Sequence, residues 1–266
     1  MLTLIRGAGD IASGIALRLW RAGFDVVMTE IARPTTIRRT VAFSDAVING
    51  EQTVEGVTAL CAETWAEALQ FLERGNLPVL VDPDCACRAA LKPGALVDAI
   101  LAKRNLGTAI TDAPIVVGVG PGFTAGVDCH AVVETMRGHT LGRVIYDGPA
   151  LPNTNIPGLI GGFAGERVLR APADGVFTGT RRIGDHVKAG ETVGTVAGIP
   201  MTATIDGVLR GLIADGVTVT RGLKSGDVDP RGKAEYCRTA SDKALAVGGG
   251  VLEAILHFSE GNHHGK

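Results

Sequence analysis

The first thirty residues constrain the fold more than any other stretch of the chain. Leu2-Thr3-Leu4-Ile5-Arg6 reads as a short buried strand, and Gly7-Ala8-Gly9-Asp10-Ile11-Ala12 follows it directly. Ile11, Ile15 and Leu19 then recur every fourth residue, with Ala12 and Ala16 beside them, which is the spacing of one helical face. Gly23 stops that helix, and residues 24–29 form a second strand ending in Glu30. Strand, G-x-G-x-x-A, helix, strand and acid come in the order that a Rossmann unit requires. Gly7 permits a tight turn. Gly9 leaves room for a pyrophosphate against backbone N–H groups at the helix N-terminus. Ala12 lets helix and strand pack closely. Glu30 lies 21 residues after Gly9 and suits hydrogen bonds from a ribose. Asp10 favours the helix dipole but repels a phosphate held nearby. Arg33, Arg38 and Arg39 follow Glu30 and either pair with a ligand phosphate or form a solvated basic loop.

Further along, residues 46–48 read as a short third strand and residues 63–74 as a helix ended by Gly75. Val79-Leu80-Val81 is an apolar strand that runs into Asp82-Pro83-Asp84-Cys85-Ala86-Cys87. Ligands meet an open α/β sheet at the carboxyl ends of its strands, so this loop is well placed. A Cys-x-Cys pair there suits a soft metal or carries sulfur, but too few ligands are visible for a zinc site, and structural cysteines are the alternative. Residues 93–103 suggest another helix. Ile115–Val119 is a buried strand, expected parallel to Leu2–Arg6, leading into glycines at 118, 120, 122 and 126. Backbone N–H groups of such a loop can face an anion. If residues 129–136 are helical, His130 and Glu134 fall one turn apart. Arg137 and Arg143 are natural phosphate or carboxylate clamps, with solvent or pairing to Glu134 and Asp147 as the bland alternative; His139 is either structural or a proton carrier.

A different architecture begins near Val168, marked by an internal repeat. Ala171, Asp174-Gly175-Val176, Gly179, Val187 and Gly190 recur 32 residues later as Ala203, Asp206-Gly207-Val208, Gly211, Val219 and Gly222. Two copies of short β runs between glycine turns predict two interlocked β hammerheads, and the segment resembles biotinyl/lipoyl carrier domains. The hairpin that would hold the modified lysine reads Ala197-Gly198-Ile199-Pro200-Met201 and has no lysine, so no biotin or lipoate is expected. Ser241 suits the N-cap of a last helix through Leu256, with Gly248-Gly249-Gly250 inside it for close packing on the first domain. The expected fold class is therefore α/β, a Rossmann-like parallel sheet with an appended or inserted all-β lipoyl/biotinyl-like barrel-sandwich domain. Its expected divisions are 1–166 for the cofactor-binding domain, 167–232 for the barrel, 233–258 for the C-terminal helix and 259–266 for a disordered tail. His263-His264 falls in that tail and reads as no metal site.

Composition narrows the function classes. The chain has 266 residues, a formal net charge of −2 and 45% hydrophobic residues, which suits a large core and gives no basic face for nucleic acid. Residues 1–6 are too short for a signal peptide and no apolar run reaches membrane-spanning length. Five cysteines, an odd number, without a secretion signal suggest reduced thiols and a cytoplasmic protein.

Several motifs together resemble one known family. They are Gly7-Ala8-Gly9-Asp10-Ile11-Ala12-Ser13-Gly14, the glycines at 118–122, Asp128-x-His130, Glu134-x-x-Arg137-Gly138-His139 with Leu141-Gly142-Arg143-Val144, and Val228-Asp229-Pro230-Arg231 after the lipoyl-like repeat. This pattern resembles the YqeB-type family, described as accessory to selenium-dependent molybdenum hydroxylases, and is distantly similar to XdhC-type maturation proteins, which also carry a Rossmann domain. The resemblance implies an accessory or maturation protein that binds a phosphate-bearing cofactor, of molybdopterin or nucleotide type, and engages a molybdenum hydroxylase. The alternatives are an NAD(P)-dependent oxidoreductase, for which no Tyr-x-x-x-Lys pair is identifiable, and a non-catalytic scaffold that docks a partner through the barrel. A homo-oligomer stays open. The expected cofactor-binding residues are Gly7, Gly9, Asp10, Ile11, Ala12, Glu30, Arg33, Gly118, Gly120, Gly122, Arg137 and Arg143. The candidate catalytic residues are Cys85, Cys87, Asp128 and His130, since selenium or sulfur transfer needs a nucleophilic cysteine; no metal site is expected.

Overall fold

The structure is a computed structural model and describes residues 1–259. The tail expected at 259–266, His263-His264 included, lies outside the described residues except for Ser259, which closes the last helix. The chain divides into two compact units. The first takes Met1–Pro34, Phe43–Asn153 and the chain from Ala240 onward; the second takes Thr35–Ala42 and Thr154–Thr239. The expected first domain, 1–166, thus yields residues 35–42 and 154–166 to the second unit.

The first unit opens as the sequence predicts locally, with β1 (Leu2–Arg6), α1 (Asp10–Arg21) and β2 (Asp25–Glu30). Then follow α2 (Ala46–Asn49), β3 (Glu51–Val54), β4 (Val57–Ala62), α3 (Trp65–Glu73), β5 (Leu77–Val81), α4 (Arg88–Leu91), β6 (Ala95–Asp98), β7 (Ile115–Val119), β8 (Thr124–Ala125), β9 (Ala131–Val133), β10 (Val144–Ile145), β11 (Gly148–Pro149) and α5 (Asp242–Ser259). Nine of these strands form one mixed sheet in the order β10-β9-β7-β6-β1-β2-β5-β4-β3. The seven inner strands are parallel, so β7 runs in the same direction as β1, and an antiparallel strand closes each edge.

This corrects the expected fold class. The chain does not build a Rossmann-like parallel sheet with a lipoyl-like barrel but a large mixed sheet and three smaller antiparallel ones. Three local features account for the difference in the first unit. A hairpin over residues 51–62, turned at Glu55 and Gly56 with both φ positive, adds an antiparallel strand. The return of β10 onto β9 does the same at the other edge. No helix crosses between β6 and β7 or between β7 and β9.

Three element assignments also change. The helix expected at 93–103 is β6: residues Ala95–Asp98 are buried on both faces, and a short apolar run in a parallel sheet carries no period to set it apart from a helix. The strand expected at 46–48 is the single turn α2, ended by Gly50 at φ 84°. The helix expected at 129–136 is β9, where the β-branched Val132 and Val133 pack in the core. His130 and Glu134 therefore flank opposite ends of a strand rather than one helical turn.

Helices α1 and α5 pack tightly, and glycine makes this possible. A Cβ on Gly14 would lie 2.5 Å from the Ala244 Cβ, and one on Gly248 would lie 2.8 Å from the Gly14 carbonyl oxygen. Ser241 caps α5 as expected, its Oγ accepting the Ala244 N–H at 3.2 Å.

The second unit realises the internal repeat. Its strands are β12 (Val168–Arg170), β13 (Gly175–Gly179), β14 (His186–Val187), β15 (Thr192–Val196), β16 (Ile199–Thr202), β17 (Gly207–Leu212), β18 (Thr218–Val219) and β19 (Lys224–Asp229). The strands β13, β14 and β15 begin 32 residues before β17, β18 and β19. The copies interlock, because β13 pairs with β18 while β14 pairs with β17. The result is two open four-stranded antiparallel sheets, β12-β19-β17-β14 and β16-β15-β13-β18, around one apolar core that includes Phe177, Val193, Leu209 and Val228. At the rim of that core, Arg167, Asp227, Arg210, Asp229 and Arg231 alternate in charge along a ladder. Arg210 Nη2 donates to Asp227 Oδ2 at 2.7 Å, and Arg210 Nη1 donates to Asp229 Oδ2 at 3.1 Å; Arg167 also donates to Asp227. Among the described residues no helix is long and apolar enough to cross a membrane.

Candidate functional site

The carboxyl ends of the parallel strands of the first unit carry most of its buried polar chemistry. Strand alternation explains where it sits. Leu4 and Arg6 lie on one face of β1, Val27 and Thr29 on the same face of β2, and Leu96 and Asp98 on that face of β6. Leu4, Val27 and Leu96 belong to one core cluster. Where each strand ends, the next inward position turns polar, so Asp98, Arg6 and Thr29 stand side by side across three neighbouring strands. All three are buried.

Arg6 organises this row. Its Nη1 donates to Asp98 Oδ2 at 3.4 Å, to the Leu106 carbonyl at 3.1 Å and to Thr108 Oγ1 at 3.1 Å. Its Nη2 donates to the Pro83 carbonyl at 3.3 Å. Thr108 Oγ1 in turn donates to Asp98 Oδ2 at 2.6 Å. One guanidinium thus ties the loop after β5 to the loop after β6. The Arg6 Nε is buried without a hydrogen-bond partner among the described residues, which leaves one strong donor to satisfy.

The turn after β1 brings Gly7, Gly9, Asp10, Ile11 and Ala12 to the same sheet edge. Gly7 adopts φ 100°, and a Cβ there would press to 3.1 Å from the Ala99 carbonyl oxygen and the Ile100 nitrogen of the β6 loop, so only glycine fits. Gly9 is the N-cap of α1 with φ −65° and an extended ψ. Asp10 and Ile11 open the helix, and Ala12 is fully buried. Glu30 meets this turn in a way the sequence did not reveal. Its Oε2 accepts the Ala8 N–H at 3.0 Å and its Oε1 accepts the Ile31 N–H at 2.8 Å. Burial pushes its carboxyl above the ordinary value, against those two backbone bonds. In this conformation Glu30 braces the turn rather than offering its oxygens to a ribose.

The loop after β5 places Cys85 and Cys87 beside the row. Cys85 is buried with φ 56°, while Cys87 is half-buried and its N–H donates to Asp82 Oδ2 at 2.7 Å. A hydrogen bond from Cys87, another from Thr29 and the charge of Arg6 hold the Cys85 thiol below the usual thiol range despite burial and Asp82. The same bond to Cys85, with burial and Asp82, drives Cys87 upward. The two shifts run in opposite directions, which favours the thiolate on Cys85 over Cys87.

The other expected site residues lie elsewhere. Gly118, Gly120 and Gly122 are at the β7 end, but protein fills the space beside them. Cβ atoms there would meet the Phe123 ring at 2.5 Å, Thr135 Oγ1 at 2.8 Å and the Arg104 backbone at 2.6 Å. Arg137 forms a two-pronged pair with Asp242 at 2.8 and 3.1 Å, and Arg143 is exposed. Both lie near the β9–β10 edge, three strands away from β1. Glu134 is buried, where its Oε1 accepts the Thr135 and Met136 N–H groups and its Oε2 that of Leu151. Arg33 is exposed. Arg38 and Arg39 belong to the second unit and bond the carbonyls of Tyr236 and Leu212.

His130 precedes β9, at the amino edge of the parallel strands, and its Nδ1 accepts the Val116 N–H at 3.0 Å. Asp128 accepts from Thr124 N at 2.8 Å and from Asn105 Nδ2 at 3.4 Å. Burial pushes the neighbouring Cys129 thiol up to about 11. Sequence reasoning missed Arg6, Asp98, Thr108 and Asn105. The available signal was a polar residue ending an otherwise apolar strand, which β1 and β6 share.

The chain is homologous to the uncharacterized protein YqeB of Escherichia coli (strain K12), with 54% identity over 255 residues. The match covers 96% of this chain and 47% of that protein, so the chain spans about half the length of the curated relative it matches. No family model matches the chain. Among solved structures, a succinylglutamate desuccinylase/aspartoacylase from Rhodobacter sphaeroides matches at 28% identity with a TM-score of 0.23, over 24% of this chain and 22% of that one. An aspartoacylase family protein from Mesorhizobium loti matches at 11% identity with a TM-score of 0.26, over 85% of this chain and 84% of that one. At such scores neither likeness carries an argument about this chain's chemistry.

Proposed function

We propose that the chain acts with the YqeB-type proteins as an accessory factor in the maturation of a selenium-dependent molybdenum hydroxylase. In this reading it holds a phosphate-bearing cofactor, of molybdopterin or nucleotide type, at the carboxyl edge of the parallel strands. The observation that carries the reading is the glycine turn of residues 7–9 at the N-terminus of α1, directly after Arg6, whose Nε is buried and unpartnered. A helix N-terminus offers backbone donors and a positive dipole end to an anion, and the turn lies where the chain departs to opposite sides of β1, with β2 on one side and β6 on the other. Open α/β sheets bind ligands at such a point.

The donor set fits one anionic group and disfavours several. Glu30, Asp98 and Asp10 surround the turn with negative charge, while Arg137 and Arg143 lie near the other edge of the sheet. Residues 9–12 would hold a phosphate through backbone N–H groups, and the cofactor would bring its own metal and pterin chemistry. The alternative of an NAD(P) oxidoreductase loses its main support, because Glu30 is engaged with Ala8 and Ile31. The similarity to YqeB reaches about half of that protein, and the maturation reading rests on the motif resemblance rather than on that match.

The test is mass spectrometry of the small molecule that co-purifies with the chain from a host able to make molybdenum cofactor. Molybdopterin, a pterin monophosphate, or its nucleotide form is expected. Co-purified NAD(P), or no phosphate-bearing ligand and no affinity for any added, would overturn the proposal.

A further inference from the structure

The loop after β5 carries chemistry that cofactor binding does not use. Cys85 and Cys87 are free thiols two residues apart in one loop, and the backbone of Cys85 is held at φ 56°, a conformation that non-glycine residues seldom adopt. Several bonds fix that geometry. The Cys85 N–H donates to the Asp82 carbonyl at 3.1 Å, Arg88 Nη1 donates to the Cys85 carbonyl at 3.0 Å, and Arg6 grips the loop through Pro83. Both cysteines are thus carried by one braced turn.

We propose that Cys85 and Cys87 form a redox-active dithiol that reduces hydroperoxides and closes to an intraloop disulfide. The surroundings divide the roles. Cys85 sits among Thr29, Cys87 and the Arg6 guanidinium, which favour its thiolate. Cys87 keeps its proton and is the more exposed of the two. In the first step the Cys85 thiolate attacks the distal oxygen of R–O–O–H. An S–O bond forms and the O–O bond breaks, leaving Cys85–SOH and an alkoxide (hydroxide when R is hydrogen) that takes up a proton from water. In the second step the Cys87 sulfur attacks the sulfur of Cys85–SOH, its proton leaving with the sulfenic hydroxyl as water, and the disulfide remains. The peroxide gains two electrons and the thiol pair loses two. An external dithiol returns the site to its reduced form by exchange. The other three cysteines lack this arrangement: Cys129 and Cys237 are buried with thiols raised by burial, and the Cys61 thiol is raised by burial and by Glu67 and Glu63.

The chain offers a clean readout, because cleavage at Arg74 and Arg88 releases residues 75–88, which contain both cysteines and no other. The full-length protein, reduced and then treated with one equivalent of hydrogen peroxide, is alkylated and digested. The expected peptide carries no alkyl groups and is lighter than the reduced form by the mass of two hydrogens, and a dithiol restores both sites. Cys87→Ser should instead trap Cys85 as a sulfenic acid that dimedone labels. Two fully alkylated thiols after treatment, or sulfinate at Cys87 with Cys85 intact, would overturn the proposal. The wild-type peptide decides this even if a cysteine variant fails to fold, and no cofactor is needed, so failure here leaves the ligand-binding reading standing and the reverse also holds.

Discussion

Alanine substitutions along Gly248-Gly249-Gly250 separate helix propensity from helix packing within three consecutive residues. A Cβ on Gly250 would lie 2.2 Å from the Gly142 carbonyl oxygen and 2.8 Å from Val133 Cγ1, whereas one on Gly249 meets nothing within 4 Å. Alanine gains about 1 kcal/mol over glycine inside a helix. At Gly249 that gain stands alone, and Gly249→Ala is expected to stabilise by about 0.5–1 kcal/mol. At Gly250 the obstructing atom is backbone and cannot rotate away, so α5 must move off β9 and β10. Overpacking of this kind costs about 1–3 kcal/mol, and the backbone obstruction at 2.2 Å puts Gly250→Ala towards the upper end, which leaves a net loss of up to about 2 kcal/mol after the propensity gain. Thermal unfolding should place the two variants on opposite sides of the parent, by about 2–4 °C per kcal/mol for a unit of this size. Urea midpoints should agree in sign. If both variants shift the same way by the same amount, the close approach of α5 to β9 and β10 is not the reason for glycine here.

Glu134→Ala should destabilise by about 3 kcal/mol, because three backbone N–H groups lose a charged acceptor and two of them are at buried or half-buried residues; urea unfolding measures it. Asp227→Ala should lose about 3–5 kcal/mol in the second unit, since it strands Arg167 and Arg210 without their shared carboxylate; a loss below 1 kcal/mol by calorimetry contradicts the ladder. Glu30 is shifted upward mainly by burial, and a carboxyl that holds its proton more tightly when folded contributes stability at low pH that is lost as pH rises through its folded value. Wild-type stability relative to Glu30→Gln should therefore fall as pH rises from about 4 towards neutrality and then level off, with the 4 being the ordinary glutamate value. A flat difference across that range contradicts it.

The parts of the fold legible in the sequence are those where local signals act alone. Strand, turn, helix, strand and acid over residues 2–30 depend on Gly7, on the four-residue spacing of Ile11, Ile15 and Leu19, and on Gly23, all read within one window. The repeat was legible for the same reason, since β13 and β17 share a glycine frame. What stayed hidden depends on long-range pairing. Residues 95–98 have no period of their own and become a strand only because β1 and β7 flank them. Misreading that strand concealed Asp98, and with it the row that Arg6 completes. The glycines at 118–122 looked like an anion loop because sequence shows flexible backbone but not the Phe123 ring and Arg104 backbone that fill the space. The chemistry of Cys85 was out of reach for a related reason: Thr29 and Arg6 approach it from other strands.

The central claim is that the turn of residues 7–12 holds a phosphate, and Gly9→Val tests it most directly. Gly9 has φ −65° and extended ψ, a backbone conformation valine adopts readily, so the fold should survive while the side chain covers the helix N-terminus. Affinity for the co-purifying phosphate-bearing cofactor, titrated calorimetrically into the parent and into a variant of matched thermal stability, should drop at least about ten-fold, the loss of one charge-assisted hydrogen-bonding site. Equal affinity in a folded Gly9→Val protein would contradict the claim.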